Sequence, residues 1–427
     1  MGNLLVSLKN TAEAMRVFQR GMSVVQSNVT NASTPGYAKQ TQLLEAMRLD
    51  LDWGLPGGVQ SGGTSDGRSD FAEAAVRQRA EAFGYSDTMS EQMKRVEAIY
   101  DIGSESGLGG ALNKFFASFS ALTVAPNDVS ARQVALNRAD ELARSFRSMD
   151  TSLTDGVAAT EKALQNQMDA INRTVSSIAA LNKEFRSDFR VKEDAGIQAR
   201  MNNLLEGLSE MGNFSVLREE DGSATVYLGG QTLMAVGERV YPLSVETGTG
   251  ENARLLDSAG NDVTTQAAGG RLKALLETRN DILPEKQLQL NRLAQAVADE
   301  VNTTLSAGVD LNGVAAQKDL FSYDANLGPA RTLAVTDLTP SELALASSES
   351  PGGNAVAVKV AELGQAKEVD GYTFMQFYAT QAADIGRRVT EAVEDQSSSN
   401  SLVVQARQFR EELQGVNLDE EAIVLMQ

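Results

Sequence analysis

Two runs of carboxylates, Glu219-Glu220-Asp221 and Asp419-Glu420-Glu421, are the side chains best suited to chemistry, because paired acids can divide general acid and general base roles. Such pairs cleave glycosidic bonds across a cleft, so a carboxylate-dependent extracellular glycosidase is one function class left open. Both runs also have a plain structural reading. The first sits at a turn between alternating segments, and the second begins a helix, where acids favour the positive end of the helix dipole. A sugar cleft also wants aromatic walls, and this chain has one Trp and 5% aromatic residues.

The sequence contains no Cys and no His, which removes thiolate nucleophiles, Ser-His-Asp triads, disulfides and nearly all tetrahedral zinc sites. Gly57-Gly58 to Gly62-Gly63 is Gly-rich but lacks the Lys-Ser/Thr ending of a phosphate loop and a strand before it. Asp310-Leu311-Asn312-Gly313 matches a fragment of a calcium loop, without Gly at its sixth position or Glu at its twelfth. No catalytic residue, cofactor or metal is assigned on these grounds, and the expectation is a protein that is not an enzyme.

The 57 acidic against 38 basic residues give a formal charge of -19, which opposes a nucleic-acid backbone or an anionic lipid surface. Neither nucleic acid nor membrane insertion is therefore expected. Met1 to Lys9 has no cationic start followed by an apolar stretch, Val6 stands where a myristoylation signal needs Ser or Thr, and no apolar run nears the roughly 20 residues of a membrane span. An extracellular location would then require export without a cleaved signal peptide. An acidic, elongated adhesin is a second alternative consistent with this composition.

The elements that would position these residues are mostly helices. Leu4, Leu8, Thr11, Met15, Phe18, Met22, Val25 and Val29 alternate steps of four and three, the seam of a helix lying along another helix. With no complementary helix, that seam is expected not to be stably helical. Asn31 to Thr34 favour local side-chain bonds, and Pro35-Gly36 suits the centre of a type II turn, with Gly36 at positive φ. A loop or short extended excursion is expected over Leu43 to Arg68, including Trp53 to Gly58. Ser69-Asp70 caps a helix carrying Phe71, Ala74, Ala75, Phe83 and Met89, and Gly103 to Gly110 ends it. A helix over Ser130 to about Phe189 carries one apolar stripe from Leu142 to Phe189, with Gly156 as a possible break. The period then alternates from Phe214 to Leu256, a small sheet with a hairpin at Asp221-Gly222. Helical spacing returns from Leu272 to Val301, where Pro284 should kink or interrupt it, and again from Tyr372 to Leu413 with a pause at Asp395 to Asn400. Gly415 reads as a helix C-cap, and Asn417 with Glu420 as a capping box.

The expected fold is mainly α with a β-rich insertion (α+β), elongated and multi-domain. Its parts are an N-terminal helix and elbow (1–50), a helical shaft (51–212), a small β-rich segment (213–268), more shaft helices (269–308), a small irregular outer domain (309–370) and C-terminal shaft helices (371–427).

Gln26-Ser27-Asn28-Val29-Thr30-Asn31-Ala32-Ser33-Thr34-Pro35-Gly36-Tyr37 resembles the N-terminal signature of bacterial flagellar rod, hook and hook-associated proteins, and with Lys39-Gln40 it looks most like the hook-associated protein 1 family. Ser69-Asp70-Phe71, Gly107-Leu108, Phe115-Phe116, Pro126, Gly269-Gly270 and Leu283-Pro284 are similar to further blocks of that family. Gly415-Val416-Asn417-Leu418-Asp419-Glu420-Glu421-Ala422 is similar to its C-terminal signature. Leu305 departs from the family, which often has His there. Members also continue past the C-terminal signature into a long helix, so the inner-tube C-terminal helix is expected to be missing from this sequence. The resemblance implies a stack of concentric domains with both chain ends at an inner tube. It also implies a structural subunit at the hook-filament junction, exported by the flagellar type III apparatus. Its partners would be copies of itself in a tubular lattice, the hook protein, the second junction protein and an export chaperone. Asn28, Asn31, Thr34, Pro35, Gly36 and Tyr37 would then form an assembly motif, Leu4, Leu8, Met15, Phe18, Met22, Val25 and Val29 an inner seam, and Gly415 to Glu421 its C-terminal counterpart.

Overall fold

The computed structural model describes residues 2–47, 57–100, 107–248 and 251–426. Helix α1 (Gly2–Asn31) leads into an antiparallel hairpin of β1 (Gln40–Ala46) and β2 (Val59–Asp66). Four helices follow, α2 (Asp70–Glu97), α3 (Leu108–Val124), α4 (Val129–Ser187) and α5 (Ala195–Met211). A four-stranded antiparallel meander comes next, in the order β3 (Phe214–Arg218), β4 (Ala224–Leu228), β5 (Thr232–Val236) and β6 (Arg239–Val240). Beside it lies a ribbon of β7 (Ser244–Glu246) and β8 (Arg254–Leu256). Helices α6 (Gly270–Glu277) and α7 (Leu283–Ser306) precede a segment holding β9 (Phe321–Ser322), α8 (Pro329–Thr332), β10 (Ala334–Val335) and α9 (Ala355–Leu363). Helices α10 (Phe374–Gln414) and α11 (Leu418–Met426) end the described chain. The protein is mainly helical with a β-rich insertion, as its periodicities require.

Local chemistry sets the helix starts. Ser69 accepts the Ala72 N–H at the head of α2, Asp128 caps α4, Asp194 caps α5, and Thr373 with Gln376 forms a reciprocal capping box on α10. At 59 residues α4 is roughly 88 Å long, and it runs through both cores. Its first half, through Leu153, packs with α3, α7, α9 and the start of α10, whereas Leu164 to Phe185 packs with α5, α6 and the sheet.

Gly156 lies at the changeover and does not break α4. A Cβ there would lie 3.5 Å from Leu283, so this position brings α4 close to the head of α7. The expected interruption at Pro284 takes a specific form. A π-helical turn over Thr278–Ile282 precedes α7, and Pro284 sits in the first turn of α7, where its missing N–H needs no acceptor. That turn carries Arg279, which pairs with Glu161 of α4, and Asn280, which bonds both the N–H and the carbonyl of Ala253.

Several expectations are corrected. Residues 309–370 do not form a separate outer domain: Leu320, Phe321, Leu333, Leu345, Val360 and Val369 belong to the same core as α3, α4 and α7. Fully buried Arg132 of α4 binds the segment by donating to the carbonyls of Pro340 and Leu343, so compact turns, rather than a second core, account for its irregular sequence. Helix α10 does not pause at Asp395 to Asn400, since Ser and Asn are tolerated on an exposed helix face. On α2 the buried face is Ala72, Val76 and Ala80, while Phe71 is exposed. Of the two forms expected after Leu43, the extended one is found, a β-hairpin whose second strand contains Gly62-Gly63. Trp53 to Pro56, Gly103 and the side chains of Leu4 and Phe189 lie outside the described residues.

Candidate functional site

Helix α1 packs on the β1–β2 hairpin and on α11, and the two terminal signatures meet there. At Asn31 the helix stops. Thr34 N–H donates to the Asn31 carbonyl, and Tyr37 N–H to the Thr34 carbonyl at 3.1 Å, closing the turn around Pro35-Gly36. Gly36 has φ +73°, as the second central residue of a type II turn requires. A Cβ there would also collide with Asn203 of α5 and stand 3.2 Å from the Ala199 carbonyl.

The centre of the site is Asn28, which is 1% exposed. Its amide nitrogen donates to the Gln40 carbonyl at 2.9 Å and to Glu421 Oε2 at 3.1 Å, while its oxygen accepts from the Gln40 N–H at 2.9 Å and the Tyr37 hydroxyl at 3.1 Å. Both donors and both acceptor sites of one carboxamide are thus used. Burial pushes the Tyr37 phenol up, against the opposing hydrogen bond from Ser27, which keeps it a neutral donor. Asn31 donates to the Ser27 carbonyl, and Thr34 to Asn31, completing the motif.

Lys39 bridges to the C-terminal signature, 2.9 Å from Glu420 and 3.0 Å from Glu421, and these hydrogen bonds raise its pKa. Asn417 caps α11 by accepting from the Asp419 and Glu420 N–H groups, but the Glu420 side chain reaches Lys39 instead of completing a capping box. The acidic run Asp419-Glu420-Glu421 is therefore occupied by cross-chain contacts. Glu219-Glu220-Asp221 lies at the β3–β4 turn, where Asp221 accepts the Ser223 N–H. Asp310 closes an Asx turn with Asn312 and Val314, and among the described residues no group of acids is arranged to hold a metal ion.

A second network ties this elbow to the shaft. The carbonyls of Pro35 and Gly36 accept from Asn203 and Arg68, and the Gln414 carbonyl accepts the Lys39 N–H. Gln414 donates to Glu73 at 2.8 Å, and Glu73, 2% exposed, also binds Arg68 at 2.6 Å and Arg410 at 3.2 Å. Glu206 of α5 holds Arg410 and Arg407. Sequence reasoning missed Gln40, Arg68, Glu73, Asn203, Arg410 and Gln414 as functional positions. Glu73 carried no signal in the sequence, because it lies beside Ala72 on a face of α2 that the apolar spacing of Phe71, Ala74 and Ala75 does not mark; once that face is buried, a lone carboxylate demands partners.

The inner seam divides. Val25 is buried with Val17 and Asn28 against the hairpin, whereas Leu8, Met15, Phe18, Met22 and Val29 are exposed. The helix is nevertheless continuous over Gly2–Asn31, where an unpartnered seam was expected not to hold helical structure.

The profile of the flagellar hook-associated protein FlgK helical domain matches residues 93–321, more than half of the chain. Flagellar hook-associated protein 1 of Bacillus subtilis (strain 168) is 23% identical over 477 residues, covering 100% of this chain and 94% of that protein. The protein of the same name from Salmonella typhimurium is 24% identical over 327 residues, 74% of this chain and 59% of its own length. Among solved structures, the flagellar hook junction protein FlgK from Burkholderia pseudomallei aligns with a TM-score of 0.70 at 14% identity, covering 80% of this chain and 100% of that one.

Proposed function

We propose, on the premise that this chain belongs to the family of flagellar hook-associated protein FlgK, that it is a structural adaptor joining the flagellar hook to the filament. It acts without catalysis, as a joint whose geometry is set by the elbow. The observation that carries this reading is the Asn28–Glu421 contact, which binds the two terminal signatures together 393 positions apart in sequence. A joint that transmits torque needs its arm held at a defined angle, and a fully satisfied buried polar network supplies one geometry where apolar packing would tolerate several. The motif Asn28, Asn31, Thr34, Pro35, Gly36 and Tyr37, with Gly415 to Glu421, forms the joint, and the open seam Leu8, Met15, Phe18 and Met22 is the surface offered to neighbours. The partners are further copies in a tubular lattice, the hook protein and the second junction protein. An export chaperone delivers the chain to the flagellar type III apparatus. No described helix is long and apolar enough to cross a membrane.

Removal of residues 1–46 tests the reading, because both buried cores begin at Met89 or later and lose nothing. The shortened chain should melt cooperatively, yet fail to attach filaments in cells lacking the intact protein. Normal filament attachment by that chain would overturn the proposal. A glycosidase would make the opposite demand, with polysaccharide cleavage surviving the deletion and ending on a single acidic substitution elsewhere.

A further inference from the structure

The chain has no Cys, so its 13 methionines carry all of its sulfur, and a peroxide finds no thiol here to react with first. Burial divides these methionines by place. Met89, Met93, Met149, Met168, Met201 and Met234 are buried in the two shaft cores. Met211 and Met375 pack against those cores and are half-buried. Among the described residues, the exposed methionines are Met15 and Met22 of α1, Met47 after β1 and Met426 of α11, all in the terminal unit around the elbow.

Two of the exposed ones lie on one line. Leu8, Met15 and Met22 are spaced seven residues apart, two helical turns, with Phe18 between the methionines, so these side chains form a single stripe on α1. Met15 and Met22 are each 61% exposed, whereas Met201 and Met234 are 0% exposed, so an oxidant in solvent reaches the first pair and not the second. A thioether is apolar, unbranched and polarisable, which suits a surface that must adapt to a neighbour. Its sulfoxide is polar and chiral and disrupts contacts of that kind.

We propose that Met15 and Met22 are oxidation sites at which a peroxide switches off attachment; the switching, though not the oxidation, rests on the reading of the seam as the surface offered to neighbours. A lone pair of the sulfur attacks a peroxide oxygen, the O–O bond breaks and an S–O bond forms. Sulfur is oxidised to the sulfoxide and hydrogen peroxide is reduced to water, with no net proton taken from or given to the protein. Methionine sulfoxide reductases, drawing on a thiol reductant, reverse the step. The shaft cores keep their methionines out of reach, so the rest of the molecule stays folded while the seam changes polarity.

Hydrogen peroxide is the probe, applied to the purified chain and followed by peptide mass spectrometry. Met15 and Met22 should each gain an oxygen at least about tenfold faster than Met201 or Met234, which react only when their core opens, and the main Tm should not move. Equal rates at seam and core would overturn the proposal. Filament attachment is then scored in cells lacking the intact protein. Met15→Gln with Met22→Gln, close to the sulfoxide in size and polarity, should abolish attachment, and Met15→Leu with Met22→Leu should keep it. Loss in the leucine pair as well would overturn the switch, since polarity would then not be what decides. Phe18→Glu spoils the seam without touching sulfur and separates the two claims. Loss in Phe18→Glu with normal attachment by the glutamine pair overturns the switch alone, and normal attachment by both overturns the reading of the seam with it.

Discussion

Replacing Asn28 tests how the elbow is held. Asn28→Leu keeps a similar volume but leaves the buried Gln40 N–H and carbonyl without their side-chain partner, while Tyr37 retains Ser27 and Glu421 retains Lys39. At about 1–3 kcal/mol for each orphaned group, the local cost is about 2–6 kcal/mol. Asn28→Asp keeps the acceptors for Gln40 and Tyr37 but loses both donors, and places a carboxylate where Glu421 Oε2 now lies 3.1 Å away. Two such carboxylates raise each other's pKa, so this defect is present above the folded value and relieved as pH falls through it, unlike that of Asn28→Leu. The measurement is hydrogen exchange in peptides covering 24–46 and 415–424. A cost of about 2 kcal/mol corresponds to roughly 30-fold faster exchange, with the main melting transition nearly unmoved because neither core includes the elbow. Unchanged exchange in Asn28→Leu, or a large fall in the main Tm with normal elbow protection, would refute the account.

Gly36→Val should strain the positive-φ turn by about 1 kcal/mol or more and displace Asn203, seen as faster exchange at Tyr37 to Gln40 and impaired motility with the shaft intact. Asp384→Ala leaves fully buried Lys286 with Glu285 and Gln289 alone and should cost about 3 kcal/mol by urea denaturation. Burial opposes ionisation of Asp384, but bonds from Arg387 and Lys286 hold its pKa below the ordinary aspartate value. Its contribution is therefore present above that value and lost as pH falls through the folded one, so the Asp384→Ala variant should show a shallower acid decline in Tm. Asp150 is the reverse case, its pKa raised by burial despite Arg331, so Asp150→Asn should raise Tm at pH 7 and lose that advantage in acid.

Sequence alone determined the local chemistry. The spacing of Leu142 to Phe185 called for helix with one apolar stripe, though not for its continuity through Gly156, the alternation around Asp221-Gly222 called for a hairpin, and Pro35-Gly36 for a turn with a left-handed glycine, because each follows from backbone preferences over a few neighbouring residues. The absence of Cys and His likewise narrowed the possible chemistry before any fold was known. What tertiary structure alone decided was which faces meet. Periodicity identified an apolar stripe on α1 but could not show that Val17, Val25 and Asn28 turn inward while Met15, Phe18 and Met22 stay open. It also could not assign 309–370 to the shaft core, because contact between distant segments leaves no local pattern. The elbow network is the clearest instance. Gln40, Glu73 and Gln414 are ordinary polar residues in sequence, and Asn28 and Glu421 stand there only as parts of two separate signatures; their shared meaning arises when folding removes water from all of them together, so that each must satisfy another.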